Sequence, residues 1–340
     1  MPFRFFEQLV DPFPPPRPDR SPGSVYRFCR HHARGLEPYL LFMALLSTGI
    51  AIVEVSLFEV MGRLVDLLAG TTPEGISAGE GRAQLWFALA ILAAYPILVG
   101  LQSLLLHQTL MGNFPMIVRW MTHRYLLRQS LSFFHDEFAG RIATRVMQTA
   151  LAVRSTVIKL LDIMVYVGVY FISVLVLFAA VDLRLMLPLL SWLALYIVSL
   201  YPNLPRLQGI SERQAGARAM MTGRIADSYT NISTVKLFSH ARRESAYARE
   251  GMEEFLATVH PQMRLVTCME TLVAVNNTLM LLAVGGTSLY LWFQGAMTPG
   301  AIAAAIALCL RLNGTSEWIM WEVSDLFENI GTVRDGASAI

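Results

Sequence analysis

Aromatic and ionisable residues recur at helical spacing in and just beyond one apolar run of the chain, Ile302–Trp321. They are Arg311, Gly314, Glu317, Trp318, Trp321, Glu322 and Asp325. At 100° per residue they fall within an arc of about 140° on a helix. Leu312, Ile319, Met320, Val323, Leu326 and Phe327 fall on the other side, which reads as the lipid-like face. Two tryptophans beside two glutamates suit binding rather than bond-making. Ring faces and carboxylates both attract an amphipathic or cationic ligand. Other apolar runs carry Glu54, Glu59, His107 and Glu270. A charge in a bilayer is costly, so such groups are expected to face a bundle interior or a wet cavity. The cavity is assigned to Glu54, Glu270, Arg311, Glu317, Trp318, Trp321 and Glu322. The alternative is that the charges only pair between helices while the tryptophans anchor at the interface.

Nothing else in the chain is arranged for chemistry. No Ser/His/Asp or Cys/His constellation offers a nucleophile. Cys29, Cys268 and Cys309 are far apart and lack metal-ligand spacing, so they read as buried thiols. His31-His32 reads as a solvated pair. His135-Asp136-Glu137 lacks the helical spacing a metal would need, and no metal site is expected. Asn276-Asn277-Thr278 and Asn313-Gly314-Thr315 fit the glycosylation pattern but lie within apolar runs. No Gly-x-x-x-x-Gly-Lys-Ser/Thr phosphate loop occurs, and Gly285-Gly286 and Gly295 have no lysine beside them to reach a phosphate. The chain alone is therefore expected not to bind or hydrolyse ATP and not to be an enzyme.

The elements that must position these residues are long apolar helices. Six runs stand out: Leu40–Leu68, Leu85–Leu106, Leu160–Val181, Leu185–Tyr201, Leu265–Phe293 and Ile302–Trp321. About 20 apolar residues span a ~30 Å hydrocarbon core as a helix. Hydrophobic residues make up 54% of the chain and charged ones 15%, against about 25% charged in a soluble domain. Of the 27 Lys and Arg residues, 22 lie before the first run, between the second and third, or between the fourth and fifth. The positive-inside rule puts those segments and both termini in the cytoplasm. A topological role explains the basic residues, so nucleic-acid binding is not expected. The first 22 residues hold seven prolines and no signal-length apolar core. Phe3–Val10 reads as a short amphipathic helix at the membrane interface or as a frayed tail.

Outward connections are short: Gly70–Gln84, Asp182–Arg184 and Gln294–Gly300. Inward connections run to about 50 and 60 residues and keep helical periodicity. Trp120, Arg124, Leu127, Arg128 and Leu131 continue one pattern; Ser211–Arg224 and Arg242–Leu256 continue the other. Each inward loop is read as two long helical arms joined at a tip. One tip is placed at Ser132–Gly140, with Phe133, Phe134 and Phe138. The other is placed at Asp227–Thr234, a run of poor helix formers. Exposed apolar tips on stalks suggest a docking partner.

At these tips the sequence resembles the transmembrane half of an ABC exporter. Phe133-Phe134 with Gly140-Arg141-Ile142 and Arg145 resembles the family's first intracellular loop. Ile232-Ser233-Thr234-Val235-Lys236-Leu237-Phe238 with Glu244 resembles the second, and Asn329-Ile330-Gly331-Thr332-Val333 resembles the end of the sixth helix. One departure is Thr149, where the family often has an acidic residue four after the arginine matching Arg145. The resemblance implies an all-α polytopic fold of six transmembrane helices with long cytoplasmic helical extensions. Residues 1–37 would be a cytoplasmic N-terminal segment and 38–340 the six-span domain.

It further implies that Phe133, Phe134, His135, Asp136, Phe138, Gly140, Tyr229, Asn231, Ile232 and Thr234 couple the domain to nucleotide-binding domains. ATP and Mg belong to those domains, and this chain is expected to hold no cofactor itself. The other implied partners are a second transmembrane half (the same chain or a different one), the lipid bilayer and a small amphipathic substrate. The implied place is a bacterial inner membrane. A competing reading is a truncated, non-transporting fragment that assembles with or regulates a partner.

Overall fold

The computed structural model describes residues 2–15, 24–70, 80–130, 139–237 and 241–339. Among them every regular element is helical. A chain this apolar must satisfy its backbone N–H and C=O groups locally, and helices do so without water. Two short helices, α1 (Pro2–Glu7) and α2 (Val25–Ala33), precede the long ones. α3 (Glu37–Gly70) is followed by α4 (Glu80–Leu104), a π-helical turn at Leu105–Leu110, and α5 (Asn113–Leu126). α6 (Ala139–Ile158), a second π turn at Lys159–Ile163 and α7 (Met164–Val181) come next. α8 (Met186–Leu200) and α9 (Asn203–Thr230) lead to the short α10 (Ile232–Leu237). The last two are α11 (Ala241–Phe293) and α12 (Pro299–Ala339).

Among the described residues, five stretches are long and apolar enough to cross a membrane: Glu37–Gly70, Arg82–Leu126, Arg145–Val181, Leu183–Thr230 and Arg242–Phe293. They contain the first five runs. The sixth run lies in α12, which has the length but less apolar character. Arg311, Asn313, Thr315, Ser316 and Glu317 dilute it, and neighbouring helices supply partners for Arg311, Asn313 and Ser316.

α3 packs against α4, α7 and α12; α12 also runs along α6 and α11. One apolar core lies among α3, α7, α8, α11 and α12, with Val55, Tyr170, Phe178, Leu189, Trp192, Met280 and Leu312 buried in it. A second lies toward the long-loop end, where Phe28, Met43, Leu110, Phe114 and Val153 meet Val333 of α12. The apolar side of α12 therefore does not face lipid. Leu312, Met320 and Leu326 are buried, because neighbouring helices cover that side.

Two glycines set how closely α3 and α12 approach. A Cβ on Gly300 would lie 2.0 Å from the Gly62 carbonyl oxygen. The contact lets Asp66 of α3 reach the start of α12. The Gly300 N–H donates to Asp66 Oδ1 at 2.8 Å, and the Thr298 hydroxyl donates to Oδ2 at 2.7 Å. A carboxylate from one helix thus caps the positive end of another. At the far end of α12 a Cβ on Gly336 would lie 2.0 Å from Thr149 Oγ1. Position 149 is a tight helix crossing, which accounts for a small residue there.

The arms differ in detail from the sequence reading. The first ends at Leu126 with a short turn after it, rather than continuing to Leu131. Residues 131–138, including the tip aromatics, lie outside the described residues. The second arm stays helical through Asp227–Thr230 and breaks only at Asn231. Its poor helix formers turn their side chains back onto the preceding turn: Ser228 onto the Arg224 carbonyl, Thr230 onto Ala226 and Asn231 onto Asp227. Arg224 then ties α9 to α11 through Glu250 and Glu254 and lies 4.9 Å over the Tyr247 ring.

Two further expectations are corrected. His31 and His32 are buried rather than solvated, because α2 lays that face on α5, α6 and α12; His32 Nδ1 sits 2.9 Å from the Phe28 carbonyl. Cys268 is exposed on α11, whereas Cys29 and Cys309 are buried. Burial also pushes the Cys29 thiol up to about 11, which suppresses the reactive thiolate.

Gly300→Val is expected to lower the thermal unfolding midpoint in detergent. Overpacking costs about 1–3 kcal/mol, and here the clash is with backbone. Gly314→Ala, with nothing within 4 Å of the added carbon, is expected to leave the midpoint unchanged. A maleimide at neutral pH is expected to modify Cys268 in the folded protein, and Cys29 and Cys309 only after denaturation. Mass spectrometry of the labelled peptides reads this directly.

Candidate functional site

The site is built on α12, because that helix turns its polar face away from its neighbours. Gly314, Glu317, Trp318 and Trp321 are exposed, while Leu312, Thr315, Ser316 and Met320 on the other sides are buried. The face is wider than an interfacial anchor would need. It extends from Leu310 to Glu328 over more than four turns.

Arg311 lies at its inner edge. Its Nε donates to Glu54 Oε1 of α3 at 2.6 Å, and Nη2 lies 2.5 Å from the same oxygen. Tyr166 of α7 donates its hydroxyl to Glu54 Oε2 at 2.6 Å. The Glu54 side chain is 9% exposed and the Arg311 side chain 46%. This asymmetry assigns roles. Glu54 is a sealed counter-ion, and Arg311 is the member of the pair that reaches the open face. Trp318 stacks edge-on against Tyr166, with ring centroids 6.3 Å apart, so the same tyrosine fixes both the carboxylate and the aromatic wall.

Lower on the same helix, Glu322 and Asp325 both pair with Lys159 of the second π turn. Glu322 is thereby engaged in a helix-to-helix bridge. Glu317 is exposed and so is Glu270 on α11, and neither has an ion-pair partner among the described residues. The seven expected cavity residues therefore divide. Arg311, Glu317, Trp318 and Trp321 share the open face, Glu54 and Glu322 support it from behind, and Glu270 stands on another helix.

Two polar clusters were not in the sequence reading. In one, Ser47 and Gln102 donate to Asp162 Oδ1, the amide at 2.7 Å, tying α3 and α4 to the second π turn. Asp162 lies inside the run Leu160–Val181, so the rule that singled out Glu54 applies to it equally. In the other, the Trp192 indole donates to Asn277 Oδ1 at 2.8 Å. Asn277 Nδ2 in turn donates to Asn313 Oδ1 at 2.7 Å and to the Ser316 hydroxyl at 2.9 Å. Tyr196 adds a bond to the Ser316 carbonyl at 2.7 Å. This network joins α8, α11 and α12, and Asn276, Asn277 and Asn313 of the glycosylation pattern each make at least one side-chain hydrogen bond there, Asn276 to the Trp192 carbonyl.

At the far end of the arms, α10 presents a separate surface. Tyr229 is 71% exposed and Leu237 80%, with Asn231, Ile232 and Thr234 also exposed. Gly140 lies in the first turn of α6. Phe133, Phe134, His135, Asp136 and Phe138 lie outside the described residues.

The sequence profile of the ABC transporter transmembrane region matches residues 39–315. The chain belongs to that family. It is similar to an uncharacterized ABC transporter ATP-binding protein of Haemophilus influenzae, with 44% identity over 339 residues, covering 99% of this chain and 55% of the relative. Its fold is similar to that of a bacterial Atm1-family ABC exporter solved with ATP bound. The TM-score is 0.68 at 14% identity, covering 90% of this chain and 52% of the other. The chain thus spans little more than half the length of either protein. It is a transmembrane domain with ABC exporter architecture and an integral membrane protein.

Within this family member the Glu54–Arg311 pair is open to a double-mutant test. Arg311→Met is expected to destabilise the detergent-solubilised protein by about 3–5 kcal/mol, because it leaves the Glu54 carboxylate buried and unpaired. Adding Glu54→Gln is expected to recover most of the loss. Denaturant titration followed by circular dichroism reads both.

Proposed function

We propose that this domain is the substrate-translocating half of an ATP-driven exporter. In this reading it couples ATP hydrolysis in nucleotide-binding domains to export of a small amphipathic substrate. One observation carries the proposal: α12 buries its apolar side in the bundle and leaves a polar, aromatic side open. A helix packed only against lipid would do the reverse. The open face suits the wall of a pathway completed by a second transmembrane half.

The chemistry of that face suggests the substrate class. Arg311 is neutralised by Glu54, and Lys159 is engaged by Glu322 and Asp325. Glu317 is left as an unneutralised charge flanked by Trp318 and Trp321. A cationic or zwitterionic amphiphile would gain charge attraction from the carboxylate and cation–π attraction from the rings. The short-loop end would face outward and the arms would enter the cytoplasm of a bacterial cell, as the distribution of basic residues suggests. Nucleotide-binding domains, with their ATP and Mg, would dock on α10 and on the first-loop tip. ATP would then shift the halves between inward- and outward-facing states by binding one state more tightly.

The test is ATPase activity of the domain assembled with its nucleotide-binding domains in nanodiscs, across a panel of cationic, neutral and anionic amphiphiles. Cationic members are expected to stimulate hydrolysis. Glu317→Gln and Trp321→Ala are each expected to weaken half-maximal stimulation by about tenfold, the loss of about 1.4 kcal/mol of binding, with basal hydrolysis retained. Unchanged stimulation in both variants would remove this face from the pathway.

A further inference from the structure

A cavity lies away from the α12 face, at the long-loop end between α5 and α6. Its volume is about 480 Å³, within the range of small-molecule sites. Met116, Leu126, Val146 and Met147 make an apolar floor. Phe13, from the segment that follows α1, closes one side. That wall is built in: Phe13 meets the Trp120 ring edge-on at 5.5 Å, and the Trp120 indole donates to the Pro14 carbonyl at 3.2 Å.

The polar lining is Arg119, His123 and the Trp120 indole, and among the described residues it holds no carboxylate. Arg119 faces the cavity, and its Nε is buried without a hydrogen-bond partner. Arg154 of α6, behind the lining, stands within electrostatic reach of it, and among the described residues its one side-chain hydrogen bond is to the Ser155 hydroxyl. Among the described residues no carboxylate pairs with either arginine. A buried guanidinium N–H lacking an acceptor, with a second cation within electrostatic reach, is an arrangement that an arriving anion would relieve.

We propose that this cavity binds a single-tailed amphipathic anion. Its acidic head accepts hydrogen bonds from Arg119, with Arg154 adding charge, and its tail lies on Met116, Val146 and Met147 under Phe13. The site is separate from the α12 face and opposite to it in charge preference, so it stands whether or not that face carries substrate.

A medium-chain fatty acid bearing a terminal diazirine, and the matching alcohol, are photolysed with the protein in nanodiscs, and the adducts are mapped by mass spectrometry. The acid is expected to label peptides of α5 and α6 well above those of lipid-facing helices, and the alcohol is expected not to. Arg119→Gln is expected to reduce that labelling about tenfold or more, the loss of one charge-assisted hydrogen bond. Met147→Trp, which fills the floor and keeps the arginine, is expected to reduce it as well. Labelling of the lipid-facing helices by both probes reports that each variant is folded and inserted. Equal labelling of α5 and α6 by acid and alcohol would overturn the proposal, as would acid labelling that survives both substitutions.

Discussion

A carboxylate sealed among apolar helices must be met by a cation and by hydrogen-bond donors, and Glu54 is met by both. Arg311 comes from α12 and the Tyr166 hydroxyl from α7, so one group on α3 fixes three helices against one another. The rotational setting of α12 follows from this. With Arg311 drawn to α3, Leu312 and Met320 turn into the core, and Gly314, Glu317 and Trp321 are left on the open side. The Gly62–Gly300 contact sets the height of the same helix, and Asp66 holds its first turn. Angle and height together place every residue of the candidate site. A buried ion pair is an expensive way to join helices when apolar packing would serve. Its use here holds a cation at the edge of the open face of α12.

The remaining buried polar groups follow the same logic. Asp162 draws Ser47 and Gln102 to the second π turn, and Asn277 gathers Trp192, Asn313 and Ser316. The first cluster belongs to α3, α4 and that turn, the second to α8, α11 and α12. The bundle is thereby divided into two hydrogen-bonded groups of helices. They meet along α3 and α12, where three polar ties join them: Asp66 at the first turn of α12, the Glu54–Arg311 pair at its middle, and Lys159 with Glu322 and Asp325 below. Any movement of one group against the other must break or carry these ties.

Much of this was legible in the sequence, for a physical reason. A residue every 100° along an apolar helix shows its face, so the open side of α12 could be read from Arg311, Glu317, Trp318 and Trp321. Periodicity cannot say what covers the opposite side, and the expectation of lipid there failed because Leu312 and Met320 meet other helices. It also cannot say which charge is sealed. Glu54 and Glu317 look alike in sequence and differ in what packs above them. Asn231 breaks the second arm where a longer break was expected, since Ser228 and Thr230 satisfy their hydroxyls within the helix. Gln102 and Asn277 gave no charge signal, and only tertiary contact shows that they tie helices together.

The end of α1 and the segment following it are held in an unusual manner. Tyr39, Thr109, Asn113 and Trp120 donate to the carbonyls of Leu9, Phe6, Glu7 and Pro14. All four donors are side chains of the bundle, and all four acceptors are main chain. A carbonyl is present whatever the residue, proline included. Apart from Val10, buried in the core, and Phe13, packed on Trp120, selection can therefore rewrite this stretch without losing these four bonds, while the four donors are held to their identities. Among related chains, drift should collect in the exposed positions of the segment and constancy at Tyr39, Thr109, Asn113 and Trp120 beneath it.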